Sequence, residues 1–280
     1  MIASLERWTN LFQNRYGTAG SDPDPLSVSW NESLSTLLTH RSIRTYRLDP
    51  LPTGTLELLM AAAQSAATSS NLQTWSVVAV EDASKKARLA DLARGQAHIR
   101  QCPLFLVWLA DLARLSQLGD QRDLPYEALD YLEMFVMAVV DAALAAQNAV
   151  IAAESLGLGS VYIGALRDQP EAVAAELALP TKVFPVFGLC IGYPDPDSLP
   201  AIKPRLPQGV VLHRETYQLE PQQQLVDQYN QIMNDFYTTQ QMEIPGDWTE
   251  HSLKRVAGSE SLSGRHRLRE ALSNLGFKLQ

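Results

Sequence analysis

The chain has 280 residues, of which 46% are hydrophobic and 19% charged, and a net charge of −8. That composition can fill a core, which excludes an intrinsically disordered chain, and the acidity excludes a general nucleic-acid binder, because phosphate affinity needs a basic face. Cys102 and Cys190 stand far apart in apolar runs and the five histidines lack HxxEH or HExxH spacing, so neither a disulfide framework, a CxxC site nor a metal is expected.

Met1–Asn10 carries Glu6 and Arg7 where a secretory signal needs an apolar core. Residues 1–30 read as an extension laid on the core, with a short helix near Leu5–Phe12 and a turn-rich linker at Gly17–Pro25. Asn31 or Ser33 caps a helix through Leu38, which runs into His40-Arg41-Ser42-Ile43-Arg44. Thr53 or Thr55 caps the next helix, through Glu57–Ala67, and Thr68–Gln73 is a polar loop. Trp75–Val80 suits a strand. Lys85–Ala93 reads as a helix, and Pro103–Ala110 as a buried strand.

Tyr126–Leu156 is the longest periodic stretch, and its apolar residues cover most of the circumference. A helix apolar all round is buried on all sides, so this one is expected at the centre of the fold or at a subunit interface. Its most apolar window, Met134–Ala153, is interrupted by Asp141, Gln147 and Asn148, whereas a membrane span needs about 20 nearly unbroken apolar residues. The expectation is a soluble cytoplasmic protein with no membrane partner. Ser160–Ile163 and Phe184–Ile191 are further strands, with a short helix at Pro170–Leu179 between them. Pro194–Pro207 is a Pro-rich loop, Gln222–Tyr237 a polar helix, and the basic tail is helical at Arg265–Leu275. Helices around about four strands in irregular order favour an α+β sandwich over a doubly wound sheet.

Several segments could carry chemistry. If the first helix continues, Arg41 and Arg44 share a face and make a fork suited to phosphate; the alternative is a solvated helix end. Thr68–Gln73 offers hydroxyl and amide donors, or else bonds its own backbone. Gly157-Leu-Gly-Ser-Val-Tyr-Ile-Gly164 is not a dinucleotide fingerprint, because its glycines follow a helix and open a strand. Gly157 reads as a C-cap, and Gly164 as a place where backbone can approach a flat ligand. Lys203-Pro-Arg205 is a second cation pair, stiffened by Pro204 and Pro207. A Ser-His-Asp order, a carboxylate pair and a Walker loop are all missing, so hydrolase and kinase readings have no support.

Together, His40–Arg44, Ser69–Gln73, Gly95-Gln96, Gln147–Gly159, Val161–Gly164, Phe187–Gly192 and Lys203–Pro207 resemble the nitroreductase family, in its oxygen-insensitive NADPH nitroreductase and flavin reductase branch. The resemblance covers about 33–220, and the tail more weakly. It implies a nitroreductase-like sandwich, with a central, mainly antiparallel sheet flanked by helices in an intertwined homodimer. It also implies a division into an extension (1–30), an FMN-binding core (31–222) and a C-terminal helical arm near the active-site mouth (223–280). One FMN per subunit would be held through its phosphate and ribityl chain by His40, Arg41, Ser42, Lys203 and Arg205. Arg44 and Gln96 would sit near the pyrimidine edge, where donors stabilise the reduced ring. Ser69, Ser70, Asn71 and Gln73 would line the ribityl and ring edge, and backbone at Ile163, Gly164 and Ala165 would face N5 and O4.

Ala165 stands where the branch tends to have glycine. The stretch 242–248 lacks that branch's basic residues, which leaves Arg255, Arg265, Arg267 and Arg269 as candidates for the 2′-phosphate of NADPH, Arg265 foremost; the alternative is that they solvate an exposed helix and pair with Glu260 or Glu270, and NADH is the other possible reductant. The implied activity is hydride transfer through flavin N5, with no catalytic side chain, to nitroaromatics, quinones or similar flat acceptors. The alternatives are a dedicated NAD(P)H:flavin reductase and a non-catalytic FMN-binding protein.

Overall fold

Four segments rich in β-branched and aromatic residues pair into one sheet. They are β1 (Trp75–Val80), β2 (Leu104–Asp111), β3 (Gly159–Ile163) and β4 (Val183–Gly192). A computed structural model describes residues 2–17 and 30–280. The linker expected at Gly17–Pro25 lies almost wholly outside them. The chain forms two compact units, one from residues up to Arg41 together with Pro200–Ser261, the other from Ser42–Leu199 and Leu262–Gln280.

The second unit contains the sheet, in the order β1-β2-β4-β3 with every pairing antiparallel. Strand β2 is buried along its whole length, and its side chains alternate between two cores, as the period of a strand requires. Phe105, Val107 and Leu109 meet Leu89, Ala90 and Ile99 on one face. Leu104, Leu106 and Trp108 meet Leu59, Ala63, Ala145 and Ala149 on the other. Helices therefore cover both faces of the sheet, and the expected α+β layering holds.

The long helix is Leu132–Ser155, with a separate turn at Glu127–Asp130 where the sequence suggested one continuous helix from 126. Its buried face is small: Ala138, Ala142, Ala145, Ala146, Ala149 and Ala153 let it lie close to the sheet. It is not buried all round within one chain. Leu132, Val136, Val140 and Leu144 are 44–50% exposed. By length and composition this helix could also cross a membrane, but its alanine face is part of the core.

Three further expectations are corrected. The helix expected from Glu57 is Thr55–Gln64, with the left-handed Gly54 at its N-cap position and no threonine side chain capping it. The tail helix at Arg265–Leu275 resolves into a tight turn at Arg265–Arg267 and a helix Leu268–Asn274. The helix Glu32–Thr39 stops there, because His40 turns to extended backbone (φ −49°, ψ 134°). Of the two caps the sequence offers, Asn31 is the one used, its Oδ1 accepting from the Leu34 N–H at 2.9 Å.

The first unit is helical. It contains Ile2–Tyr16, longer than the helix expected at Leu5–Phe12, together with Glu32–Thr39, Gln222–Thr239 and Trp248–Arg255. Tyr229, Met233 and Tyr237 form its buried centre, with Leu206, Phe236, Ile244 and Trp248 packed against them.

Candidate functional site

Because the helix Glu32–Thr39 ends before them, Arg41 and Arg44 do not share a helical face. The residues after it run extended. Ser42 bridges Ser160 of β3, and the Ile43 N–H donates to the Ser160 carbonyl at 2.8 Å. Gly159 makes this approach possible, since a Cβ there would lie 2.4 Å from Ile43 Cγ1. Ile43 and Tyr46 are buried, while Arg44 is exposed. Arg44 comes near His98, whose imidazole is held below its ordinary pKa first by burial and then by the Arg44 charge. The His98 Nε2 lies 2.8 Å from Gln96 Oε1. His98 thus brings Arg44 and Gln96 into one neighbourhood.

The polar loop is built around a buried acid. Asp141, 2% exposed on the long helix, accepts from the Thr68 hydroxyl at 2.5 Å and the Ser69 N–H at 3.1 Å. It also accepts from the N–H and hydroxyl of Thr74, both at 3.3 Å. Outside the loop, Arg114 donates to the Gln73 carbonyl at 2.7 Å. Held this way, Ser70, Asn71 and Gln73 adopt positive φ of 49°, 56° and 52°. Non-glycine residues enter that region at a cost of about 1–3 kcal/mol each, and such outliers cluster where a ligand is clamped. Ser69, Ser70, Asn71 and Gln73 are all exposed. Asp141 went unassigned in the sequence, although a lone carboxylate in an apolar run was the signal: buried charge demands partners.

Strand β3 ends in the turn Gly164–Asp168. Ile163 is buried, and Ala165, at 8% exposure, belongs to the core below the sheet, so its methyl is a packing contact. The Arg167 guanidinium donates to the Val186 carbonyl and lies 3.3 Å from where a Gly164 Cβ would be. Burial and then Arg265 lower the pKa of Arg167. Asp168 ties three segments together. It pairs with Arg94, two residues before Gln96, and its Oδ1 lies 2.9 Å from Arg265 Nε. Arg265 is therefore held beside the Gly164 turn by Asp168, and not by Glu260 or Glu270. Arg167 and Asp168 carry no local motif that would have marked them.

His40, Arg41, Lys203 and Arg205 belong to the first unit, and the remaining expected site residues to the second. Arg41 donates to the Pro200 carbonyl at 3.1 Å, which joins the end of the helix Glu32–Thr39 to the Pro-rich loop. In that loop Pro204 and Pro207 are buried, while Lys203 and Arg205 are exposed. The Tyr229 hydroxyl donates to the Pro204 carbonyl at 3.0 Å. Lys203 Nζ sits 5.7 Å from the centre of the Tyr237 ring. Lys203 and Arg205 border a cavity of about 540 Å³ whose other walls include Tyr16, Tyr229, Tyr237 and Trp248. The buried prolines fix the loop and leave both cations exposed at the edge of that cavity, where Arg205 also donates to the Lys203 and Pro204 carbonyls at 3.2 and 3.3 Å; a guanidinium and an ammonium group on one short loop suit an anion.

The two thiols lie inside the second unit's core, where burial pushes Cys190 up and a hydrogen bond to it holds Cys102 down. Neither is a solvent-facing nucleophile.

Comparison with known proteins bears on this arrangement. The family model described as the nitroreductase family matches residues 37–193, and that of the nitroreductase family C-terminal domain matches 203–280. An FMN reductase (NADPH) of Bacillus subtilis is 39% identical over 210 residues, 74% of this chain and 84% of that protein. An oxygen-insensitive NADPH nitroreductase of Salmonella typhimurium is 38% identical over 220 residues, 78% of this chain and 88% of its own. The solved structure of an NADPH:FMN oxidoreductase from Vibrio harveyi complexed with NAD+ superposes with a TM-score of 0.79 at 33% identity, covering 89% of this chain and 100% of the other.

Proposed function

The chain belongs to the nitroreductase family, and on that premise we propose what it does and which residues do it. It is an FMN-dependent NAD(P)H oxidoreductase, as its relatives named FMN reductase and NADPH nitroreductase support. When bound, FMN supplies an N5 that takes up and returns hydride, so the protein is asked for no nucleophile or general base.

The donor set fits that cofactor. Three cations, Arg41, Lys203 and Arg205, would hold the phosphate with His40 and Ser42. Ser69, Ser70, Asn71 and Gln73 would meet the ribityl chain and the ring edge. Arg44, with Gln96, would stabilise negative charge at the pyrimidine edge. Main chain at Ile163, Gly164 and Ala165 would leave the ring face open, Gly164 having no side chain to obstruct it. The single observation that carries the site reading is the polar loop. Three exposed non-glycine residues there are kept left-handed around a buried carboxylate, strain that a ligand-clamping role accounts for.

The acceptor is proposed to be a nitroaromatic, a quinone or another flat molecule that can stack where NAD(P)H stacked. The names of two relatives, both FMN reductases, favour a second reading in which the acceptor is free flavin. Arg265 is proposed toward the 2′-phosphate of NADPH, because Asp168 keeps it beside the Gly164 turn. The subunit is proposed to pair with a second copy through the open apolar stripe of Leu132–Ser155. A cytoplasmic location is supported by two free cysteines, as a reducing compartment keeps them. The division into an extension (1–30), a flavin-binding core (31–222) and a C-terminal arm (223–280) is part of the same proposal.

The test is anaerobic. The purified protein, supplied with FMN and desalted, should retain the flavin band at about 450 nm, and about one equivalent of NADPH per flavin should bleach it. A colourless protein, or a band that neither NADPH nor NADH bleaches, contradicts the reading.

A further inference from the structure

We infer that Arg15 is a positioning residue for the phosphate-binding cations, an inference that rests on the flavin reading above. Arg15 lies outside both family-matched segments, 37–193 and 203–280, on the N-terminal helix Ile2–Tyr16. An arginine at a helix end is ordinarily a solvated cation. This one is 6% exposed, and its guanidinium donates to three main-chain carbonyls. One terminal nitrogen donates to the Leu38 carbonyl at 2.9 Å and the His40 carbonyl at 2.8 Å. The other donates to the Lys203 carbonyl at 3.2 Å. The main chain closes the link, for the Arg205 N–H donates to the Arg15 carbonyl at 2.8 Å.

These partners are not scattered. Leu38 and His40 end the helix that delivers Arg41. Lys203 and Arg205 are the cation pair of the Pro-rich loop. One rigid planar fork thus sets the spacing between the two cation-bearing segments, which are about 160 residues apart in sequence. The same contacts have an electrostatic consequence. The last carbonyls of a helix carry the negative end of its dipole, and here they lie next to residues meant to hold an anion. A buried cation on those carbonyls cancels that repulsion. Arg15 touches no flavin atom in this account; it acts through Arg41, Lys203 and Arg205.

The test compares two ligands that differ only in the phosphate. Apoprotein is titrated with FMN and with riboflavin, read by quenching of flavin fluorescence, for wild type, Arg15→Ala, Arg15→Lys and Arg205→Ala. Thermal melting of each apoprotein is recorded alongside. Wild type should prefer FMN, and Arg205→Ala should lose much of that preference. Arg15→Ala should weaken FMN about tenfold, the worth of roughly one charge-assisted contact, while riboflavin binding stays within about twofold. Arg15→Lys keeps the charge without the fork and should fall between. If Arg15→Ala does not fold, the same comparison on Arg15→Lys decides.

Equal weakening of FMN and riboflavin would show Arg15 to be merely structural, and an unchanged FMN-to-riboflavin ratio would remove it from the site; either overturns the inference while leaving the flavin reading intact. A wild type that binds both ligands alike defeats the phosphate reading itself, and this inference with it.

Discussion

Asp141 shows how much a single residue can control. It accepts four hydrogen bonds from Thr68, Ser69 and Thr74, and the left-handed residues of the loop depend on that anchor. Asp141→Asn substitutes an amide donor for one acceptor oxygen and sets it against buried N–H and O–H groups. The expected loss is about 1–3 kcal/mol in urea unfolding for each donor left unsatisfied, together with weaker FMN binding. Unchanged stability would mean that the loop is held by something else. Legibility at this scale followed sequence distance. Asn31 could be read as a cap because its partner is three residues away, and Gly157 as a C-cap because a glycine directly follows the periodic stretch, where its φ is +75°. Asp141, Asp168 and Arg15 could not be given roles, since their partners lie tens of residues off. Ala165, which stands where the branch tends to have glycine, is buried, and its methyl belongs to the core.

At the scale of elements, strands were read to within a residue or two at each end, because β-branched and aromatic runs are a local signal. The helix through Leu38 was allowed to continue to Arg44, and the extended turn at His40 overrides that. Helices Ala97–Gln101, Ala113–Arg122 and Trp248–Arg255 went unread because their apolar faces are thin. The long helix is the instructive case. Its apolar circumference suggested burial on all sides, yet alanines take the inner face while Leu132, Val136, Val140 and Leu144 recur every fourth residue on the outer one. A stripe of that spacing is a helix-packing face. Light scattering at micromolar concentration should therefore give twice the mass of one chain. Val140→Glu should weaken association at least about 100-fold, since an unpaired buried carboxylate costs on the order of 3 kcal/mol or more. A monomeric wild type that still holds its flavin would contradict the pairing.

For the whole molecule, charge and topology work together. The chain is acidic overall, at −8, yet it exposes Lys203 and Arg205 beside a cavity on a loop anchored by buried prolines. The sheet order β1-β2-β4-β3 and the two units built from discontinuous segments depend on pairings far apart in sequence, which composition and periodicity do not encode. The family resemblance, resting on short motifs kept in order, was the part of the sequence that reached this scale. In the proposed reaction, reductant and acceptor use one flavin and one pocket in turn, with no protein nucleophile. Initial rates measured while NADPH and a quinone are varied together test it most directly. Parallel double-reciprocal lines are expected, because the reduced enzyme must release its first product before the acceptor can enter. Lines that intersect to the left of the axis, the mark of a ternary complex, would contradict it.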